Sequence, residues 1–200
     1  MTESVVHVID DDEAMRDSLA FLLDSAGLTA CTYDSAQLFL DALETAPPGV
    51  IVTDIRMPGL TGLDLVRRLK ARSCAYPVIM ITGHGDVPLA VEAMKAGVVD
   101  FLEKPFEEEN LLAAIRSAQC PAAEVNADPE RERVKTVLES LSPREHEVLD
   151  GVVEGKLNKV IAHELGISPR TVEVYRANVM SKTGARGLSE LIRMVLLVRS

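Results

Sequence analysis

Two hundred residues, 47% hydrophobic and 26% charged with no tryptophan, suit one large globular domain or two small ones. No apolar run reaches the ~18 residues of a membrane span. Met1-Thr2-Glu3-Ser4 lacks the basic and apolar segments of a secretion signal. A cytoplasmic protein with no membrane partner is therefore expected. Charge is uneven: residues 1–119 hold nine Lys/Arg against nineteen Asp/Glu, 120–140 three against five, and 141–200 nine against seven. An acidic front and a mildly basic back predict two domains with different partners. Cys31, Cys74 and Cys120 are odd in number and far apart, and His7, His84, His146 and His163 are scattered. Neither set has metal or redox spacing, so these read as ordinary core or surface residues.

Val5 to Ile9 is an apolar run ending in Asp10-Asp11-Asp12-Glu13, a strand with acids at its tip. Ala14 to Ala26 carries Met15, Leu19, Leu22 and Leu23 at helical spacing and closes at Gly27. Thr29 to Tyr33 is the second strand. Ser35 caps a helix that ends before Pro47-Pro48. Val50 to Thr53 is β-prone, meets Asp54, and breaks at Pro58-Gly59. A helix follows from Gly62 to Arg72, then a strand from Pro77 to Thr82. Asp86 opens a helix through Ala96, Asp100 to Glu103 is a short strand, and Glu107 to Gln119 is a helix. Five β-α units predict a doubly wound, parallel five-stranded sheet of flavodoxin-like order over 1–119.

Residues 120–129 have no apolar period and read as a linker, with a helical extension over Glu130–Leu141. The stripe Val134, Val137, Leu138 and Leu141 needs a partner, and the same helix in a second subunit is the candidate. Residues 141–200 are all helix by pattern. Ser142-Pro143-Arg144-Glu145 opens one helix, Asn158 to Leu165 forms a second, and Ser168-Pro169 opens a third that runs to Thr183. Ser189 to Val198 is the last. Short helix, glycine turn, longer helix is the helix-turn-helix pattern.

If the first and third strands are neighbours, Asp10, Asp11 and Asp54 converge at one sheet edge. Like charges that close call for a cation, and a few hard oxygen ligands suit Mg²⁺. Thr82 and Lys104 end the fourth and fifth strands at the same edge. Metal-binding acids, an acceptor carboxylate, a hydroxyl and an ammonium are the parts needed to place a phosphoryl group on Asp54.

With Asp10-Asp11, Asp54-Ile55-Arg56-Met57-Pro58-Gly59, Thr82 and Lys104-Pro105 all in place, residues 1–119 resemble the receiver domain of two-component response regulators. The resemblance implies that Asp11, Asp54 and the Arg56 carbonyl bind Mg²⁺ directly, with Asp10 acting through water. It implies that Thr82 and Lys104 contact the phosphoryl oxygens, and that Lys104-Pro105 is cis. Phe101 falls at the family's rotating aromatic, which is often Tyr; here the hydroxyl is missing.

On a wheel of 169–183, Val172, Val179 and Thr183 face inward with Tyr175 beside them. Arg170, Glu173, Val174, Ala177 and Ser181 face outward, flanked by Thr171 and Asn178, with Arg176 and Lys182 at the seams. This suits a helix in a major groove with seam residues at phosphates. Residues 141–196 resemble the LuxR-type output domain through Ser142-Pro143-Arg144-Glu145, Asn158-Lys159, Ile161-Ala162, Leu165-Gly166-Ile167-Ser168 and Thr171-Val172-Glu173-Val174. Tyr175 replaces the usual His, and Val160 a common Glu. The DNA-contact candidates are Asn158, Lys159, Arg170, Thr171, Glu173, Val174, Arg176, Ala177, Asn178 and Lys182.

Together the two halves resemble response regulators of the LuxR/FixJ subfamily. The stretches Thr82 to Pro88 and Ala90 to Phe106 look most like its nitrogen-fixation branch. The resemblance implies a histidine kinase as phosphoryl donor, and promoter DNA and RNA polymerase as partners. It implies a switch through Thr82 and Phe101, and a homodimer on phosphorylation that activates transcription. The dimer face is expected on the helix Val87–Ala96, where Val91 and Ala93 mix with Glu92 and Lys95. The competing enzyme reading, a phosphotransferase or phosphatase with Asp54 as nucleophile, lacks a second acid two residues on, where Arg56 stands. It also lacks a nucleotide loop. A module that is never phosphorylated would leave the acidic pocket without a purpose.

Overall fold

The computed structural model describes residues 5–74, 76–83, 87–119 and 127–199. Five strands, β1 (Val5–Ile9), β2 (Thr29–Tyr33), β3 (Gly49–Asp54), β4 (Val78–Thr82) and β5 (Asp100–Glu103), alternate with α1 (Glu13–Ser25), α2 (Ala36–Ala42), α3 (Gly62–Ala71), α4 (Val87–Ala96) and α5 (Glu108–Gln119). The sheet is parallel in the order β2-β1-β3-β4-β5. The first and third strands are thus neighbours, with Ile9 opposite Thr53. Contacts divide the chain into two units, Met1–Gly85 with Ala96–Pro121, and Asp86–Lys95 with Ala122–Ser200. In that division α4 falls with the C-terminal helices, whereas its residues lie within the 1–119 segment of the sequence reading.

All five residues of β1 are buried, as strands covered on both faces must be. On one face Val6, Val8, Val50, Val52, Ile79 and Ile81 pack against Leu19 and Leu23 of α1 and Leu111, Ala114 and Ile115 of α5. Each fully buried Leu or Ile there contributes about 1.5–3 kcal/mol. The alternate residues of β1 include His7, fully buried within ring contacts of Tyr33, Phe39 and Tyr76. Its Nε2 is 2.9 Å from the Pro47 carbonyl and its Nδ1 is 3.3 Å from the Tyr33 hydroxyl. Burial lowers its pKa, so it sits there as the neutral ring. Cys31 and Cys74 are free thiols, half-buried; Cys120, His84 and Asp86 lie outside the described residues.

In the second unit α6 (Ala127–Glu139), α7 (Pro143–Val153), α8 (Asn158–Leu165), α9 (Pro169–Thr183) and α10 (Leu188–Arg199) follow in order. Helix α6 starts inside the segment read as linker. Pro129 sits in its first turn, where its missing N–H costs nothing. Val134, Leu138 and Leu141 are buried against Leu149, Val153, Val179, Leu191 and Val195 of the same chain. The expected second subunit is therefore not what covers this stripe; the chain's own helices do.

Helix α7 begins with a complete capping box. Ser142 Oγ accepts from Glu145 N–H (3.3 Å), and Glu145 Oε2 accepts from Ser142 N–H (2.7 Å). Helices α8 and α9 both end at left-handed glycines, Gly166 and Gly184. Among the described residues no helix is long and apolar enough to cross a membrane.

Candidate phosphoacceptor site and nucleic-acid interface

The parallel register brings the ends of β1, β3, β4 and β5 to one edge. The Ile55 N–H donates to the Ile81 carbonyl (2.9 Å), and the Lys104 N–H to the Thr82 carbonyl (2.8 Å). Asp10 and Asp54 meet there around one cation: Lys104 Nζ is 2.5 Å from Asp54 Oδ2 and 3.5 Å from Asp10 Oδ2. Asp54 Oδ1 accepts the Arg56 N–H at 2.7 Å. Asp10 Oδ1 accepts the Asp12 N–H at 2.9 Å, and the Asp10 carbonyl accepts from Arg16 Nη1 at 2.8 Å. The Lys104-Pro105 bond is cis.

Burial pushes the Asp10 carboxyl above its ordinary range, opposed by the Asp12 N–H and the Lys104 charge. Burial alone would lower the Lys104 pKa. The Asp54 hydrogen bond and the charges of Asp54 and Asp10 overcome this and raise it. The pocket thus holds its acids by supplying a resident ammonium.

Asp10 is 2% exposed, whereas Asp11 is exposed. Among the described residues no group of three His, Cys, Asp or Glu side chains is arranged to hold a metal ion. The carboxylates of Asp10 and Asp54 are hard oxygen donors, the kind that suits Mg²⁺ completed by water. Thr82 is 2% exposed, and its hydroxyl donates to the Gly83 carbonyl at 3.1 Å. Phe101 is half-buried in β5, opposite Met80. On α4, Val91 and Ala93 are buried at 2% and 0% while Glu92 and Lys95 are exposed. Of the residues expected at the dimer face, the apolar pair is thus buried within the chain and the charged pair lies at its surface.

Two features of this site escape sequence reading. Asp12 caps α1, accepting from the Ala14 and Met15 N–H groups at 2.9 and 3.4 Å, so one of the acids at the strand tip serves the helix. Gly62 starts α3 so close to Asp54 that a Cβ there would meet the Asp54 carbonyl oxygen at 2.4 Å.

At the other candidate site, Arg170, Glu173, Val174, Ala177, Asn178 and Ser181 of α9 are exposed, and Val172 and Val179 are buried, as the wheel predicts. Lys159 on α8 is exposed, and Thr171 is half-buried beside its Ser168 cap. The seam cations have protein partners. Arg176 Nη1 donates to Asn158 Oδ1 at 2.7 Å, joining α9 to α8. Lys182 Nζ is 2.7 Å from Glu145 Oε2, joining α9 to the start of α7. That contact, first, and the Ser142 N–H hold the Glu145 carboxyl down to about 2. The Ser-x-x-Glu spacing announces the cap; nothing local announces the lysine.

Comparison with known proteins places both halves. Residues 6–116 match the response regulator receiver domain. Residues 139–195 match the luxR family of bacterial regulatory proteins. The transcriptional regulatory protein FixJ of Bradyrhizobium diazoefficiens is 55% identical over 199 residues, covering 98% of this chain and 96% of that protein. FixJ of Rhizobium meliloti is 50% identical over 98% and 97%. Full-length FixJ from B. japonicum, a solved structure, aligns with TM-score 0.59 and 52% identity over 100% of this chain and 98% of that one. With a receiver module at the acidic edge and a LuxR-type module at the helix-turn-helix, matched end to end by FixJ, the chain belongs to the response regulators with a LuxR-type DNA-binding domain.

Proposed function

We propose that residues 1–119 accept a phosphoryl group on Asp54 from a histidine kinase, and that residues 141–200, joined through 120–140, bind promoter DNA in response. The P–N bond of the donor's phosphohistidine breaks as a P–O bond to the Asp54 carboxylate forms. The observation that carries this is the Lys104 ammonium held against Asp54 and Asp10, 2.5 and 3.5 Å away. That cation meets negative charge where it develops on the transferred group. Asp10, Asp11, Asp54 and the Arg56 carbonyl would hold Mg²⁺, which supplies charge neutralisation to the transferring phosphoryl oxygens. The Thr82 hydroxyl leaves the Gly83 carbonyl for the new phosphoryl group, and Phe101 turns inward as it does.

The exposed part of α4, Glu92 and Lys95, then pairs with the same face of a second copy, with Val91 supporting it from beneath. A dimer presents two α9 helices to adjacent half-sites, with exposed Arg170, Glu173, Val174, Ala177 and Asn178, and Thr171, toward the groove, and Lys159 toward phosphate. Asn158 orients Arg176, and Lys182 reaches phosphate in competition with Glu145. The bound dimer contacts RNA polymerase and activates transcription, in the cytoplasm; the similarity to FixJ over almost the whole chain supports a place in nitrogen fixation.

Intact-mass measurement with a small phosphodonor and Mg²⁺ tests the centre of this reading. One added phosphoryl group is expected, and none in Asp54→Asn. A label that persists in that variant overturns it.

A further inference from the structure

Asp10 is buried, so its polar groups need partners inside the protein. Its N–H donates to the Tyr33 carbonyl at 3.2 Å, its Oδ1 accepts the Asp12 N–H at 2.9 Å, and its Oδ2 lies 3.5 Å from Lys104 Nζ. Its carbonyl accepts from Arg16 Nη1 at 2.8 Å. The first three partners belong to the sheet and the acid-bearing loops. The fourth is the half-buried side chain of Arg16, reaching back from α1.

Helix α1 has other means of starting and docking. Asp12 caps its first turn, and Leu19 and Leu23 are buried against the sheet. The Arg16 bond goes instead to the peptide unit that joins Asp10 to Asp11. A peptide unit is planar, so a donor fixed on its oxygen restricts the plane that carries the Cα atoms of both acids. The donor is charged, which makes the bond stronger than one between neutral groups. Holding it confines a long side chain to one conformation, at an entropic cost that a solvated arginine avoids.

We propose that Arg16 is a positioning residue for the divalent cation, fixing the Asp10–Asp11 peptide so that the two acids are presented together. The inference rests on the reading of Asp10, Asp11 and Asp54 as groups that hold Mg²⁺. Asp11 is exposed and follows directly on that peptide, so its side chain takes its starting direction from it. Groups that orient metal-binding side chains from behind typically change metal affinity by about 10–100-fold when removed. The effect of Arg16 is then on affinity for the cation, not on the transfer to Asp54.

Calorimetric titration of the full chain with Mg²⁺ measures this without phosphoryl transfer. Arg16→Met keeps the aliphatic stem, removes the donors, and should weaken Mg²⁺ by about tenfold. Arg16→Gln, with a shorter and uncharged side chain, serves in its place should Arg16→Met fail to fold, and the same loss is expected. Arg16→Lys, which keeps a charged donor, should recover part of it. Leu22→Ala loosens α1 on the core at another residue. Its urea midpoint should fall while its Mg²⁺ affinity stays at the parent value. Labelling of Asp54 should need about tenfold more Mg²⁺ for half-saturation in Arg16→Met, with the saturated rate kept.

An Arg16→Met variant that folds and binds Mg²⁺ as tightly as the parent overturns the inference, whatever its stability. An equal loss of affinity in Leu22→Ala also overturns it, since general loosening of α1 would then suffice. A parent that binds no Mg²⁺ overturns the metal reading and this inference with it; a parent that binds, beside an unaffected variant, removes Arg16 alone.

Discussion

Lys104 and Asp54 form an ion pair of 2.5 Å between a side chain 28% exposed and one 13% exposed. The cation faces Asp54 and Asp10 together, so its loss leaves two acids at one sheet edge without the ammonium between them. Lys104→Ala should slow labelling of Asp54 by a small phosphodonor about 10²-fold, the scale of losing one preorganised electrostatic partner. Time-resolved intact mass gives the rate. An undiminished rate would show that the pair is only structural.

Glu145 and Asp10 should contribute to the acid response with opposite signs. The Glu145 carboxyl is held below its ordinary 4.5, at about 2, so the folded state gives up that proton more readily than the unfolded state. Its contribution is complete above pH 4.5 and vanishes as pH falls toward about 2. Asp10 is raised above 3.8, so its contribution is present below that value and is lost as pH rises through its folded pKa. Urea melts from pH 2 upward should show the acid loss shrink in Glu145→Gln and in Lys182→Met, while Asp10→Asn removes the opposite contribution.

Gly62 leaves no space for a side chain behind Asp54. Its Cβ would lie 2.4 Å from the Asp54 carbonyl oxygen and 3.3 Å from the Ile55 Cα, both backbone atoms that cannot swing aside. Gly62→Ala should destabilise the protein by about 1–3 kcal/mol, the range for overpacking, and reduce labelling of Asp54. A denaturation midpoint equal to that of the parent would refute the clash.

Charge loss at the α8–α9 seam should show as salt dependence. Arg176→Ala should weaken all duplexes alike and lower the slope of log affinity against log salt by about one. Asn158→Ala leaves the charge but not its orientation, so affinity should drop with the slope retained. Equal slopes in parent and Arg176→Ala would remove Arg176 from the phosphate partners.

On the proposed switch, in which the Thr82 hydroxyl leaves the Gly83 carbonyl for the phosphoryl group, Thr82→Ala should take the label on Asp54 yet remain monomeric. A near-complete switch needs about 5.5 kcal/mol of preference between states, so dimerisation should also depend on concentration. Lys95→Glu should weaken the dimer and Val91→Ala should act through stability instead, since Val91 is buried. Sedimentation of labelled protein distinguishes them; a labelled Thr82→Ala dimer would exclude this route.

The sheet and its edge were legible because their signals are local. Strands β1, β3 and β4 are apolar runs stopped by Asp10, Asp54 and Gly83, and parallel order follows from alternation with helices. Distant side-chain contacts that strand order does not bring to one edge were not legible. His7 finds its partners 26 and 40 residues away, and Lys182 finds Glu145 at 37. Helix α4 reads Val-Pro-Leu-Ala-Val-Glu-Ala-Met-Lys-Ala, apolar around most of its circumference, so periodicity cannot say that Val91 and Ala93 are inside. Pro129 signals a break in the sequence, yet the first turn of a helix accepts it.

Helix α9 is fastened at several points to residues outside it: Ser168 caps its start, Asn158 takes Arg176 in its middle, and Glu145 takes Lys182 near its end. Its outward face is therefore not portable by itself. A chimera that receives only 169–183 from a relative inherits the outward-facing residues without the groups that hold the seam cations. Transplanting operator preference between such regulators calls for α7, α8 and α9 to travel as one cassette.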